Sequence, residues 1–165
     1  MAANLYPVAG MKISIGPVFD LDGDDVVAAD FATLTPWTQI KGWETMGAFG
    51  DTAAEITESI IDQNRDLSVK GTRNAGTMQN TFIIYPDDPG QLAAIAAEKT
   101  PYNYAIRVEG NDKPAVGASP KNSIRYFAAL VTSAAEQGGG ANTTQKFQMT
   151  LKINTNIVRV AASAT

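Results

Sequence analysis

The sequence predicts a mainly β (α+β) fold, an antiparallel β-sandwich or partial barrel with one flanking α-helix at about residues 88–99. Apolar and polar side chains alternate along several stretches of the second half, which predicts strands, and glycine-rich or polar turns separate these stretches. An Asp-Pro start followed by helical spacing of apolar residues predicts the helix. With 165 residues the chain is expected to form one domain, with segments 1–36 and 155–165 as arms.

The strands of the second half follow from the alternation. "QKFQMTLKIN" and "YNYAIRVE" each place apolar side chains on one face: Phe147, Met149, Leu151 and Ile153 in the first, Tyr102, Tyr104, Ile106 and Val108 in the second. "MQNTFIIY" and "SIRYFAALVTS" are apolar on both faces, which predicts central strands or a face covered by another chain. "EQGGGAN" predicts a loop that joins two antiparallel strands.

The first half gives weaker patterns. "MKISI" and "WTQIKGW" predict two short strands. In "AAEITESIIDQNRDLSVKG", Ile56 and Ile60 fit helical spacing, but β-branched Thr57 and the alternation of Leu67 and Val69 favour a hairpin. The polar residues 62–64 would form its turn.

The predicted helix has two unequal faces. Asp88 suits the N-cap, Pro89 the first helical position, and Gln91 the third position of a capping box. A stripe of apolar residues is expected to face the core: Leu92, Ile95 and Ala96. The opposite face carries alanines where charges would be usual: Ala93, Ala94 and Ala97. Alanine is a good helix former, which is one explanation; the other is close approach by a second subunit.

A loop between predicted strands carries two apolar side chains. "WETMGAFGDTAA" contains two glycines together with Met46 and Phe49. Such a loop either folds back on its own core or contacts another subunit. Met46 and Phe49 therefore join the three alanines as candidate interface residues.

The composition argues against most kinds of catalysis. The chain has no histidine and no cysteine, which excludes Ser-His and Cys-His nucleophiles, thiolate chemistry and disulfides. It also removes the usual ligands of zinc and iron. We therefore predict a protein that is not an enzyme and has neither a cofactor nor a metal site.

Four short motifs suggest ligand or modification sites but give weak evidence for them. "DLDGDD" is unlike a calcium-binding EF-hand loop, because its glycine is at the fourth position and Phe31 stands at the twelfth. "GTRNAG" and "GGG" lack the residues that complete a phosphate-binding loop. The "NTT" sequon at Asn142 is a short pattern with many chance occurrences.

Charge is distributed unevenly along the chain. Residues 1–62 carry ten acidic and two basic side chains, whereas residues 63–165 carry seven acidic and eleven basic ones. Such segregation either arises by chance or lets copies attract each other. The sequence has no dense basic patch, so we do not expect tight binding to nucleic acid. The N-terminus lacks a signal-peptide pattern and the longest apolar run, "YFAALVTSAA", is too short to cross a bilayer, so we expect a soluble protein.

The order of elements resembles a known family. An acidic N-terminal segment comes first. Over residues 37–160 it is followed by "WTQIKGWE", "EITESII", "VKGTRNAGTM", the helix start "DPGQLAAI" and a final "FAALVTS…KFQMTLKIN" hairpin. This order resembles that of the major tail tube proteins of long-tailed, siphovirus-like bacteriophages. Their fold is related to the inner tubes of contractile tails and of type VI secretion systems.

The resemblance implies a structural virion protein. Six copies would form a ring, and rings would stack into a tube through which DNA passes into the host without specific binding. The expected partners are the chain itself, a tape-measure protein, and tail tip and tail terminator proteins. The expected location is the virion tail, after assembly in the host cytoplasm. The alternatives are a tail terminator or head-tail completion protein of the same fold family, and a small ligand-binding β-sandwich.

Overall fold

The structure, a computed structural model, describes residues 5–165. The elements in this range, in chain order, are β1 (Lys12–Val18), α1 (Ala28–Ala32), β2 (Thr38–Ile40), β3 (Trp43–Thr45), β4 (Thr52–Glu58), β5 (Leu67–Asn74), β6 (Thr77–Ile83), α2 (Pro89–Glu98), β7 (Tyr104–Glu109), β8 (Ile124–Gln137), β9 (Lys146–Ile153) and β10 (Val158–Val160). No helix within residues 5–165 is both long and apolar enough to cross a membrane.

Eight strands form one antiparallel sheet in the order β2-β1-β7-β8-β9-β6-β3, with β10 beside β8. The long strand β8 joins two halves of this sheet. Its first part, Ile124–Ala129, pairs with β7, and its second part, Ala129–Gln137, pairs with β9. We call β2, β1, β7, β10 and the start of β8 the first half, and β3, β6, β9 and the end of β8 the second half. Strands β4 and β5 form a separate hairpin.

The sheet curls around one core without closing into a barrel. Apolar residues from both halves meet in a single buried cluster, which includes Ile13 and Ile40 from the first half and Phe82 and Leu151 from the second. The two end strands, β2 and β3, are consecutive in the chain and only residues 41–42 separate them. They do not pair with each other, so the fold is the predicted antiparallel partial barrel with a flanking helix.

The strands predicted from alternation are confirmed. Along β9 buried and half-buried residues alternate without interruption, with Phe147, Met149, Leu151 and Ile153 inside. Strands β6 and β8 are central, as predicted, and the glycine-rich loop joins the antiparallel pair β8 and β9. Two details differ. Tyr102 precedes β7 and is exposed, and "WTQIKGW" forms two strands because the chain crosses from one end of the sheet to the other at Lys41–Gly42.

Helix α2 begins as predicted, but one side chain has another role. Asp88 is the N-cap, and its Oδ2 accepts a hydrogen bond from the Gln91 N–H at 3.0 Å and from the Lys41 N–H at 3.2 Å. Gln91 does not complete a capping box. Its side-chain amide donates to the carbonyl oxygens of Lys41 at 2.9 Å and Ile83 at 2.8 Å. The start of α2 thus fastens the crossing between β2 and β3.

The predicted faces of α2 are wrong except at Ile95, which is half-buried against the core as the predicted inner stripe requires. Ala94 and Ala97 are fully buried in the core, whereas Leu92 is 53 % exposed. The reason is close packing: a Cβ added to Gly90 would lie 2.2 Å from the Gln39 carbonyl oxygen, so the helix touches the backbone of β2. A helix this close to a sheet has room only for small side chains on its inner face.

The N-terminal segment covers the outer face of the first half. Phe31, from the unpredicted helix α1, is buried between Phe19 and Tyr126, with ring centroids 4.9 and 5.1 Å away. Trp37 packs beside Tyr126 with the Arg107 guanidinium 5.0 Å from its ring centroid. Segment 1–36 therefore contributes β1 and this aromatic layer to the body, and segment 155–165 contributes β10.

Candidate subunit interface

The hairpin of β4 and β5 has one polar and one apolar face. Directly paired residues share a face, and the pairs Glu55–Lys70 and Thr57–Ser68 are polar. The Thr57 and Ser68 hydroxyl oxygens are 3.1 Å apart, and the Ser59 hydroxyl donates to Asp66 at 2.7 Å. The pairs that alternate with them, Ile56–Val69 and Glu58–Leu67, lie on the opposite face. The hairpin predicted from the sequence is confirmed, and it is amphipathic.

The apolar face of the hairpin is uncovered. Its large side chains are 48 % exposed at Ile56, 51 % at Leu67 and 62 % at Val69. No residue of β4 or β5 is buried. A two-stranded hairpin in water is marginally stable by itself, and a hydrophobic face gains stability only when another surface covers it. This face is therefore a candidate contact surface.

The tip of the hairpin continues the apolar surface. A turn closes with a hydrogen bond from the Gln63 N–H to the Ile60 carbonyl oxygen at 3.0 Å. Ile60 is 40 % exposed, and the side chain of Ile61 is fully exposed. Consecutive exposed isoleucines at a loop tip are typical of a contact with another protein.

A second exposed apolar surface lies beside α2. Leu92 and Ile95 of the helix, together with Ile84 and Tyr85 before it and Phe147 of β9, line a groove of about 320 Å³. Tyr85 and Leu92 are each about half exposed. The outer face of α2 is thus apolar, as expected of a contact surface, although other residues than the predicted ones form it.

The predicted interface residues are either buried in the core or half-buried against it. Ala94 and Ala97 face the core, so they cannot touch a neighbour unless the chain unfolds locally. Ala93 is half-buried against the same core. Met46 and Phe49 are also half-buried against it, with Phe49 5.7 Å from the Phe127 ring centroid. The loop that carries them folds back on its own chain.

The two predicted groups do not share a surface. Met46 and Phe49 line a groove with Val8 and Arg125, whereas the groove at α2 is lined by Leu92 and Ile95. The sequence reasoning missed the apolar face of the hairpin: Ile56, Leu67 and Val69. The signal was present, because apolar residues alternate with polar ones along both predicted strands.

The outer face of the second half of the sheet is also uncovered, but polar. The side chains that point outward from β6 and β9 are half-buried or exposed, and all except Ile83 are polar: Thr77, Gln79, Thr81, Ile83, Lys146, Gln148, Thr150 and Lys152. Lys146 Nζ lies 2.8 Å from a carboxylate oxygen of Glu44. Lys152 Nζ donates to the Asn74 side-chain oxygen at 3.0 Å. This face combines hydroxyl and amide groups with charges that have local partners.

The acidic side chains of the described residues do not gather into a metal-binding group. No group of three or more acidic side chains within residues 5–165 is placed to hold a metal ion. The acidic loop at Asp24 and Asp25 lines a cleft with Asp51, Arg73 and Lys152, which is a mixture of opposite charges. The candidate binding features are the uncovered apolar surfaces. Exposed large apolar side chains are suited to contact with another protein.

The fold matches solved structures of tubular assemblies. A chain from the anti-feeding prophage baseplate superposes with a TM-score of 0.69 at 9 % identity, over 98 % of both chains. A chain from the sheath/tube terminator of the PVC extracellular contractile injection system gives 0.66 at 13 % identity, over 98 % of this chain and 100 % of that one. The SPP1 tail tube gives 0.63 at 13 % identity, over 94 % and 80 %. No protein-family model and no curated protein sequence matches the chain.

These matches show that the chain has the tail tube fold. Their coverage extends over nearly the whole chain, so the sheet, α2 and the hairpin are compared together. At such low identity the likeness concerns the fold, and function must be argued from the surfaces of this chain.

Proposed function

We propose that the protein is a non-enzymatic structural subunit that assembles with copies of itself into the tube of a phage tail. The observation that carries the proposal is the uncovered apolar face of the β4–β5 hairpin, with Ile56, Leu67 and Val69 half exposed or more. The fold shared with tube and terminator chains supports it. Rings of six copies, stacked along one axis, are the arrangement that we propose.

The polar outer face of the second sheet half would line the channel. Among the outer faces of the sheet it is the one without an apolar cover, and a channel wall must stay wetted. Glu44 neutralises Lys146, and Asn74 binds Lys152, so this wall offers no cluster of unpaired cations to hold phosphates. DNA could pass such a wall without specific binding.

The proposed setting follows from the tube. A tube of defined length needs a tape-measure protein, a tail tip on which it starts and a terminator at which it ends. We propose these as partners, with the virion tail as the final location and the host cytoplasm as the place of assembly.

Electron microscopy of the concentrated purified protein tests the proposal. We expect rings or tubes with a central hole from the wild-type chain. Ile56→Glu should abolish them, because it places a charge on the apolar hairpin face. Thr57→Glu, one residue away on the polar face, is the matched control and should still assemble. A wild-type protein that stays monomeric at all concentrations would contradict the proposal.

A terminator is the second candidate. One of the matched chains comes from a sheath/tube terminator, and it is covered over its full length. A terminator would form single rings that cap a tube, whereas a tube subunit stacks without limit. The length distribution of the assembled particles separates the two functions.

A further inference from the structure

We infer that the outer half of the β4–β5 hairpin of one copy docks on a basic end of the sheet of the next copy. This inference rests on the proposed function, because it names the surfaces that join two copies. The two surfaces are different parts of the same chain, so each copy offers one of each. A contact of this kind is head-to-tail and can repeat indefinitely.

The outer half of the hairpin is acidic as well as apolar. Residues 55–67 contain four acidic side chains and one basic one. Glu58 shares the apolar face with Leu67, and Asp62 is exposed at the tip, whereas Glu55 lies on the polar face opposite Lys70. Asp66 accepts a hydrogen bond from Ser59. A partner that covers Ile56 and Ile60 must therefore bring cations to the same place.

A basic end of the sheet offers those cations. Strand register places Lys12 of β1 opposite Glu109 of β7, Glu109 opposite Ile124 of β8, and Ile124 opposite Val160 of β10. We define the basic end as Lys12, residues 109–125 and Arg159. It carries five basic side chains and two acidic ones. Four of its cations are exposed: Lys12, Lys113, Lys121 and Arg159.

The two acids of the basic end have partners within their own loop. Glu109 accepts a hydrogen bond from the Asn122 side chain at 2.8 Å, and Asp112 accepts one from the Ser123 N–H at 2.8 Å. Hydrogen bonds from Ser123, with the nearby Arg125 charge, lower the pKa of Asp112, so it is ionised at neutral pH and fixed to the loop. The exposed lysines are the groups left for a partner.

Apolar groups accompany the cations, as the hairpin requires. Tyr6 and Val8 are each 60 % exposed beside Asn111, and Val116 in the loop is 80 % exposed. The pairing is thus apolar on apolar and acidic on basic. The acids of the hairpin form no ion pair with the basic end of their own chain, because the ion pair among residues 5–165 is Lys146–Glu44.

The other exposed apolar surface fits the hairpin less well. The groove beside α2 has Glu136 in its lining, and nearby in the chain the acids Asp87 and Glu98 outnumber the exposed cation Lys99. Those acids would face Glu58 on the apolar face of a docked hairpin, and like charges in contact oppose binding. Charge thus selects the basic end over the α2 groove.

Zero-length cross-linking with a carbodiimide tests the contact, because it joins carboxylates to lysines that touch. We would assemble an equal mixture of ¹⁴N- and ¹⁵N-labelled chains, so that links between copies carry mixed labels. The expected mixed-label peptides join Glu58 or Asp62 to Lys12, Lys113 or Lys121. The Lys146–Glu44 link, from an ion pair of 2.8 Å, is the internal control.

A charge exchange tests the same contact in function. Glu58→Lys should raise the concentration needed for assembly about tenfold, and Lys121→Glu should do the same. Combining Glu58→Lys with Lys121→Glu should restore assembly. Glu98→Lys, an exposed acid on α2, is the control and should leave assembly unchanged.

The outcomes separate the inference from the proposed function. Assembled tubes whose hairpin acids link to Lys41, Lys99 or no lysine of another copy would overturn the inference and leave the tube function intact. An additive loss in the double exchange, without restoration, would also overturn it. A chain that never assembles would overturn both.

Discussion

Helix α2 and the β4–β5 hairpin differ in where their partners are. The inner face of α2 is completed within the chain: Ala94 and Ala97 are buried, and Gly90 touches the backbone of β2. The hairpin has an equally distinct apolar face, yet no part of the chain within residues 5–165 buries it. Small residues on the alanine-rich face of the helix therefore marked internal packing, whereas alternating large residues marked a surface that is left exposed.

The difference has a simple physical basis. Close packing of a helix on a sheet favours small side chains, because the two backbones leave little volume between them. A docking surface favours large side chains such as Ile56 and Val69, because the area they remove from water determines the free energy gained. The two elements thus predict opposite responses to substitution in the isolated subunit and in the assembled tube.

The largest expected effect is at the inner face of α2. Ala94→Glu would bury a carboxylate without a partner in a filled core, which should lower the free energy of unfolding by ~5 kcal/mol or more. Such a loss approaches the whole stability of a domain, so circular dichroism should show an unfolded chain. Ala96→Glu, on the exposed side of the same helix, is the control and should remain folded. A folded Ala94→Glu protein would show that Ala94 lies at the surface and not in the core.

Much of the fold was predictable because its signals are local. The alternation along β9 and the Asp88-Pro89 start of α2 each depend on a few neighbouring residues. The faces of α2 were not predictable, since the distance between α2 and β2 depends on Gly90 meeting Gln39 far away in the sequence. The same applies to the layer of Phe31 and Tyr126, whose partners are remote in the chain. The candidate site was predictable only in part: the sequence predicted the hairpin, but not that its apolar face is exposed.

A smaller effect is expected in the loop between β3 and β4. Phe49→Ala would remove a half-buried ring that packs on Phe127, and the free energy of unfolding should fall by about 2–3 kcal/mol. Chemical denaturation of the dilute protein measures this change. Tyr102→Ala is the control, because Tyr102 is 55 % exposed and its loss should change stability by less than about 0.5 kcal/mol. Equal effects of the two substitutions would show that the loop does not belong to the core.

The cap of α2 should give a still smaller loss. Asp88→Ala removes the oxygen that accepts from the Gln91 and Lys41 N–H groups, which should cost about 1–2 kcal/mol of unfolding free energy. Asp87→Ala, the exposed neighbour, should be neutral within about 0.5 kcal/mol. Thermal melts of the two variants compare them directly. If Asp87→Ala destabilised the protein as much as Asp88→Ala, the cap would not be the cause.

The smallest effect on the isolated subunit should come from the hairpin, where assembly is most sensitive. Ile56→Ser removes a large apolar side chain that no element described in the structure buries, so the stability of the dilute monomer should change by no more than about 0.5 kcal/mol. Sedimentation at rising concentration should nevertheless show a loss of assembly, because the removed area would be buried only between copies. A destabilised monomer would mean that the hairpin folds back on its own body. An unchanged monomer that still assembles normally would mean that another surface joins the copies, and the groove at Leu92 would then be the next to test.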